Sequence, residues 1–233
     1  MFLSKLCLNL RDAEVRRQLR QPYEMHRTLW AKGFGQFGKE DLGRILFRID
    51  SDRYGRALVV IVQSMCQPDW SPLASSFVIA APEWKPFDPQ LTPGQRLRFR
   101  LRANPSKKIG TATKTERLAG VKKNGKRVAL VRENDQFAWL LDKAEHGGFS
   151  IPGQWREAHG AKVADFRVNV VREGWIRCGK AGHRDGEFYS IRFEGLLTVT
   201  DAPIFRQTLE SGIGSAKGFG FGLLSLAPAE MLT

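Results

Sequence analysis

The chain has 233 residues, 42% of them hydrophobic and six of them tryptophan, enough to pack one large domain or two small ones. Thirty-seven lysines and arginines against 24 acids leave a net charge of +13 and an isoelectric point near 10.1, so the expected partner is a polyanion, either nucleic acid or an acidic membrane surface. Cys7, Cys66 and Cys178 are far apart without a C-x-x-C pair, which argues against a disulfide framework or a zinc site, and no run of eighteen apolar residues could span a membrane.

Residues 1–10 alternate apolar and polar, which predicts a strand rather than a secretory leader; the expected compartment is the cytoplasm. Asp12 is placed to cap a helix, and Pro22 suits the first turn of a second one running to about residue 32. Residues 45–50 and 57–64 are apolar or β-branched runs around a turn at 52–55. Residues 81–94 hold four prolines in fourteen positions, a density that interrupts helix and ladder alike. That stretch is the expected linker between an N-terminal domain (1–80) and a C-terminal domain (95–233). The second half reads as a strand at 95–103, a basic excursion to 131, a helix at 134–145 and strands at 162–172 and 187–199. An Asp201-capped helix to 211 and a strand at 218–226 complete it. The order β-α-β-β-α-β is ferredoxin-like, and the first half fits most of it. The expected fold is therefore α+β: two tandem ferredoxin-like (RRM-type) domains joined by a proline-rich linker, with a basic hairpin protruding from the second. No internal sequence repeat marks a duplication.

Charge is concentrated. Thirteen bases and one acid, Glu116, lie between Arg96 and Arg132, for +12, so the rest of the chain is close to neutral. Within this stretch Arg96, Arg98, Arg100 and Arg102 alternate with Leu97, Phe99, Leu101 and Ala103, a strand with one basic face suited to a row of phosphates. Lys107, Lys108, Lys114, Arg117, Lys122, Lys123, Lys126 and Arg127 follow, with Asn124-Gly125 as a hairpin turn. A solvated charge run would share this composition, but it would not place the arginines so regularly.

On the helix opened by Pro22, Tyr23, His26, Arg27 and Trp30 share one face, while Met25 and Leu29 share another that can bury. A phenol, an imidazole and a guanidinium within one turn can move a proton and bind a phosphate. RNA carries its own nucleophile in the 2′-hydroxyl, so cleavage needs in-line geometry, proton transfer and positive charge, with no metal required. A helix-end histidine beside an amphipathic tyrosine is the plainer reading of the same residues. His146, His159 and His183 have no such neighbours and read as loop residues. Finally, Gly212-Ile-Gly-Ser-Ala-Lys217-Gly-Phe-Gly-Phe-Gly222 follows a helix, and its consecutive amides with Lys217 could form an anion-binding loop, although a plain glycine-rich turn would look alike. It is no dinucleotide fingerprint, and Gly33–Lys39, which spells G-x-x-x-x-G-K, continues with Glu40 instead of Ser or Thr, so no nucleotide cofactor is expected.

Tyr23-Glu-Met-His-Arg-Thr-Leu-Trp30, Phe99-Arg-Leu-Arg-Ala-Asn-Pro105, Phe193-Glu-Gly195 and the string from Gly212 to Pro228 together resemble the CRISPR-associated precursor-RNA processing endoribonucleases of the CasE (Cse-type) group. The resemblance runs over essentially the whole chain. It implies two ferredoxin-like domains, a metal-independent cut at the base of each repeat hairpin leaving a 2′,3′-cyclic phosphate and a 5′-hydroxyl, and retention of the 3′ stem-loop as a subunit of Cascade. By motif position it implies His26 as general acid or base, with the direction open, and Tyr23 as its catalytic partner. Lys32 would stabilise charge. Arg27 and Lys217 would contact phosphate, and Gly212, Gly214 and Gly218 would belong to an RNA-binding loop. Two other readings stand beside it: a non-catalytic hairpin-binding subunit, and a DNA-binding structural protein, which would accept duplex DNA as readily as hairpin RNA.

Overall fold

The computed structural model describes residues 1–38, 40–51, 57–110, 125–158, 160–178 and 186–229. The first half contains strand β1 (Phe2–Cys7), helices α1 (Ala13–Arg20) and α2 (Pro22–Gly33), and strands β2 (Leu46–Ser51), β3 (Leu58–Ser64) and β4 (Glu83–Pro86). These strands form one antiparallel sheet in the order β2-β3-β1-β4. The second half contains β5 (Arg96–Ala103), β6 (Ser106–Ile109), β7 (Lys126–Ala129), α3 (Glu133–His146), β8 (Phe149–Ser150), β9 (Gly153–Ala158), β10 (Ala161–Phe166), β11 (Val168–Cys178), β12 (Gly186–Val199), α4 (Ala202–Ser211) and β13 (Leu224–Pro228). Its main sheet runs β11-β12-β5-β13. Counted within each half, both sheets have the order 2-3-1-4, the split βαβ arrangement expected of two ferredoxin-like modules. In the first half the second crossover carries a short 3-10 turn (Ser75–Phe77) in place of a helix.

Local chemistry sets the element ends. Asp12 accepts from the amides of Glu14 and Val15 at 2.7 and 3.1 Å, and Asp201 from that of Ile204 at 2.8 Å, so both expected caps are formed. Gln18, buried in α1, donates to Thr28 Oγ1 at 2.8 Å and ties the two N-terminal helices together. One core packs Met25 and Leu29 of α2 on Leu6, Val60, Val62 and Phe47; a second packs Leu140, Phe205 and Leu209 on Leu101, Phe193 and Leu197.

Three expectations are corrected. Residues 83–86, inside the proline-rich stretch, pair with β1, so this part of the expected linker is an edge strand of the first sheet; Pro82 precedes it and Pro86 is its last residue, positions an edge strand tolerates. The strand expected at 162–172 is two strands: β10 pairs with β9 in a separate hairpin, and β11 starts afresh after Arg167, whose backbone lies where a side chain at Gly195 would stand. His146 is the last residue of α3, with Nδ1 2.8 Å from the Asp142 carbonyl oxygen, and not a loop residue. His159, His183 and the 52–55 turn lie outside the described residues. No helix among the described residues is long and apolar enough to cross a membrane.

The two halves meet along β2 and β3. Leu46, Arg48 and Asp50 alternate with Phe47 and Ile49, and only the latter pair joins the first core. Arg48, 4% exposed at its side chain, pairs with Asp50 at 2.8 Å and reaches the carbonyls of Arg100 and Leu223 at 3.3 and 3.4 Å. Gln63 donates to the Leu209 carbonyl at 2.6 Å, capping the end of α4 from the other domain. Removing one partner of a buried charge pair strands the other. Arg48→Met is therefore expected to lower the unfolding free energy by about 3 kcal/mol in urea titration, and a loss below about 1 kcal/mol would show that the seam does not depend on it.

Candidate active site

Helix α2 has two sides because its apolar residues recur every three or four positions. Met25 and Leu29 are fully buried, whereas Tyr23, His26 and Trp30 are half-buried on the other side and Arg27 and Lys32 are exposed. Tyr23, His26, Arg27, Trp30 and Lys32 line one groove of about 550 Å³ beside Glu14, Arg17 and Glu24. Arg27 holds Glu24 at 3.1 Å across one turn. His26 and Trp30 also line a second cleft of about 650 Å³, whose other walls include Arg44, Glu210, Lys217 and Gly218. The imidazole thus stands at the border of two basic depressions, one on its own helix and one shared between the domains.

The ring is tightly placed. Phe47 of β2 stacks beneath it, with centroids 6.0 Å apart and planes 17° from parallel. A Cβ built on Gly218 would lie 3.6 Å from His26 Cδ2 and 3.9 Å from Nε2, so the glycine-rich loop passes along the Nε2 edge. Tyr23 approaches His26 at 6.2 Å and Phe219 at 5.5 Å between centroids. His26 Nδ1 is buried without a hydrogen-bond partner in the structure. Burial, and secondarily the Arg44 guanidinium, hold the imidazole below its ordinary value of 6.5. A ring with an orphaned nitrogen and a cation nearby resists protonation, so the site presents a neutral imidazole near pH 7.

The glycine-rich loop is a closed structure. Its neck is tied by Ile213 N–H donating to the Gly222 carbonyl at 2.8 Å, and Gly222 N–H donates to the Arg102 carbonyl at 2.8 Å. Left-handed backbone recurs at Gly212, Gly214, Ala216, Gly220 and Gly222. At Gly212 a Cβ would meet Leu46 at 2.7 Å, and at Gly214 it would meet Trp139 at 2.9 Å, so close packing and positive φ together favour glycine at both positions. The strand expected from 218 begins only at Leu224. Residues Lys217–Phe219 form a 3-10 turn instead, because positive φ at Gly220 and Gly222 breaks the extended run. That turn brings Lys217 into the cleft, where burial, and then Arg44, lower its pKa from 10.5.

The other expected binding residues lie elsewhere. Arg96, Arg98, Arg100 and Arg102 do share one face of β5, as their alternation predicts. That face looks toward the seam between domains and is not an unopposed cationic track. Arg100 pairs with Glu194 at 2.6 Å and lies 3.6 Å from Asp50; Arg102 pairs with Glu173 at 2.6 Å. The acids come from β2, β11 and β12, and sequence distance hid them. Lys107, Lys108, Lys126 and Arg127 form the exposed stem of the expected hairpin, with Lys108 opposite Arg127 and Ile109 opposite Lys126. Ser106 at its root lies 3.3 Å from Ser215 of the glycine-rich loop. Lys114, Arg117, Lys122, Lys123 and Asn124 lie outside the described residues. Sequence reasoning missed Arg44 and Phe47: Arg44 follows a glycine in an irregular segment, and Phe47 reads as an ordinary core residue.

Fold and site thus define an α+β protein of two ferredoxin-like halves with a neutral imidazole set against a basic, glycine-rich loop. The model of the family described as "CRISPR associated protein" matches residues 1–228. The chain is 38% identical to the CRISPR-associated endoribonuclease Cse3 of Thermus thermophilus, over 98% of this chain and all of the relative. It is 32% identical to the CRISPR system Cascade subunit CasE of Escherichia coli, with the same coverage. The solved structure of Thermus thermophilus Cse3 bound to an RNA representing a pre-cleavage complex superposes with a TM-score of 0.77 at 36% identity, covering 97% of this chain and 98% of the other. The chain belongs to the CRISPR-associated endoribonuclease family of the Cse3/CasE type.

The depressed His26 pKa has a testable sign. Between the folded value and 6.5 the unfolded chain binds more protons, so this residue's contribution to stability is present above 6.5 and is lost as pH falls through the folded value. In urea titrations at several pH values, wild type should lose stability relative to His26→Gln as pH drops below 6.5, with no such trend above it. A pH-independent difference would contradict the burial argument.

Proposed function

We propose that this chain is a metal-independent endoribonuclease of the cytoplasm that cuts CRISPR repeat hairpins in precursor RNA and keeps the 3′ stem-loop as a Cascade subunit. The observation that carries the reading is the neutral, half-buried imidazole of His26, set at the border of two basic clefts with its Nε2 edge along the glycine-rich loop.

The chemistry follows from what these groups can do. The 2′-oxygen attacks phosphorus, the O2′–P bond forms and the P–O5′ bond breaks, leaving a 2′,3′-cyclic phosphate and a 5′-hydroxyl. A neutral imidazole is suited to taking the 2′-hydroxyl proton, which favours the base role left open by sequence. Tyr23, one turn away on the same groove, is the donor for the departing 5′-oxygen. Lys217 from the second domain and Lys32 and Arg27 from α2 supply positive charge on both sides of the ring. Because RNA brings its own nucleophile, none of these steps requires a metal. Lys107, Lys108, Lys126 and Arg127 on the hairpin, continuous with the glycine-rich loop through Ser106 and Ser215, suit the backbone of an A-form stem.

His26→Ala is expected to slow single-turnover hairpin cleavage in EDTA by roughly 10²- to 10⁴-fold while leaving hairpin affinity within about threefold. A 2′-deoxy nucleotide before the cut should block cleavage by wild type. Full activity in His26→Ala, or cleavage of the 2′-deoxy substrate, would overturn the mechanism; intact hairpin with wild type would favour a non-catalytic binding subunit.

A further inference from the structure

The cleft between the domains holds two cations that have no counter-ion among the described residues. Arg44, on the segment leading into β2, and Lys217, on the 3-10 turn after α4, line the same cleft with His26 and Gly218. Neither forms an ion pair among the described residues. Glu210 lines the cleft as well but pairs with neither. The contrast with the rest of the seam is sharp: Arg48, Arg100, Arg102 and Arg192 each have a carboxylate within 3.4 Å. Two like charges held in one partly buried cleft, beside an imidazole that stays neutral, repel one another and gain nothing from folding. Such a pair is favoured only when an anion fills the space between them.

We propose that Arg44 and Lys217 form a two-domain cradle for the scissile phosphodiester, with Arg44 as a positioning residue that fixes phosphorus against the Nε2 edge of His26. This rests on the endoribonuclease reading and extends it to a residue that the family resemblance did not suggest. The clamp draws one arm from each domain, so the reacting phosphate is held across the seam and the stem is held separately by the hairpin. Burial first, and then the neighbouring Arg44 charge, lowers the pKa of both His26 and Lys217, a direction that agrees with this placement. The titratable groups around the ring are Arg44, Glu210 and Lys217 in the inner cleft and Glu14, Arg17, Tyr23, Glu24, Arg27 and Lys32 in the outer one.

Inorganic phosphate serves as the probe. In the full-length protein, the His26 Cε1–H resonance, assigned with His26→Gln, is followed through a pH titration with and without saturating phosphate. Phosphate should raise the His26 pKa in wild type; Arg44→Gln should raise it in buffer alone and abolish most of the response to phosphate. With the repeat hairpin, Arg44→Gln should slow single-turnover cleavage by about 10- to 100-fold, with affinity within about threefold and partial rescue in Arg44→Lys. Thermal unfolding midpoints within about 3 °C of wild type certify that both variants are folded. A phosphate response that survives Arg44→Gln, or cleavage by that variant within about twofold of wild type, overturns the proposal. Should wild type fail to cut any hairpin, the endoribonuclease reading falls while the phosphate titration still decides whether the anion cradle exists.

Discussion

Strand β2 is buried on both faces, and the arrangement of the molecule depends on that constraint. Its odd residues, Phe47 and Ile49, join the first core, and Phe47 forms the floor under His26. Its even residues, Leu46, Arg48 and Asp50, face the second domain, where Leu46 fills the space left by Gly212 and Arg48 grips two carbonyls of the other half. Period-two alternation therefore places the floor under His26 and the domain anchor on adjacent residues of one strand. A one-residue slip in register would lose both together. The glycine-rich loop meets this strand from the far side. A Cβ built on Gly220 would lie 3.2 Å from the edge of the Phe47 ring, so loop, floor and imidazole pack against one another.

The charge of the molecule is divided by the same seam. On the faces of β5, β11 and β12 that look toward the seam, arginines pair with Glu173 and Glu194 and are joined by Asp50, an ion-pair network that ties the domains and offsets most of its own charge. Around His26 and on the stem of the basic hairpin, positive charge has fewer acidic partners. A uniformly cationic surface would attract RNA in any orientation; a concentration of positive charge on the hairpin stem favours one. Arg100 and Arg102 of the arginine row are thus engaged in ion pairs of the fold, although four arginines on one strand face look more like a phosphate track than any other part of the sequence.

Much of this was legible in the sequence because it is local. Alternation at 96–103, the three-four spacing of Met25 and Leu29, the Asp12 and Asp201 caps and the hairpin stem all depend on neighbours a few residues away, and the structure forms each of them. What was hidden depends on partners far along the chain. The acids opposite Arg100 and Arg102 are set by the β5–β12 register and the β11 bulge; β4 is a strand only because β1 has a free edge; the β9–β10 hairpin has short, mostly exposed strands with little hydrophobic signal. The site divides in the same way. His26 and Tyr23 announce themselves on one helix face, whereas Arg44 acquires meaning only when β2 and α4 bring it to Lys217.

Retention of the product follows from the proposed reaction and the way charge is held. Attack by the 2′-oxygen converts a phosphodiester into a cyclic phosphodiester, and each carries a single negative charge. Hydrolysis to an open monoester would instead add charge and reorganise its hydration. The cations beside His26 therefore face the same charge before and after the cut. The hairpin cations lie on a separate element, rooted by the Ser106–Ser215 contact, and have no part in the bonds that change. Cleavage removes only the contacts to the departing downstream strand. Because a complex dissociates no faster than its remaining contacts allow, a protein that binds the stem tightly enough to select it holds it about as tightly afterwards, and slow release is the expected consequence of this chemistry rather than a separate adaptation.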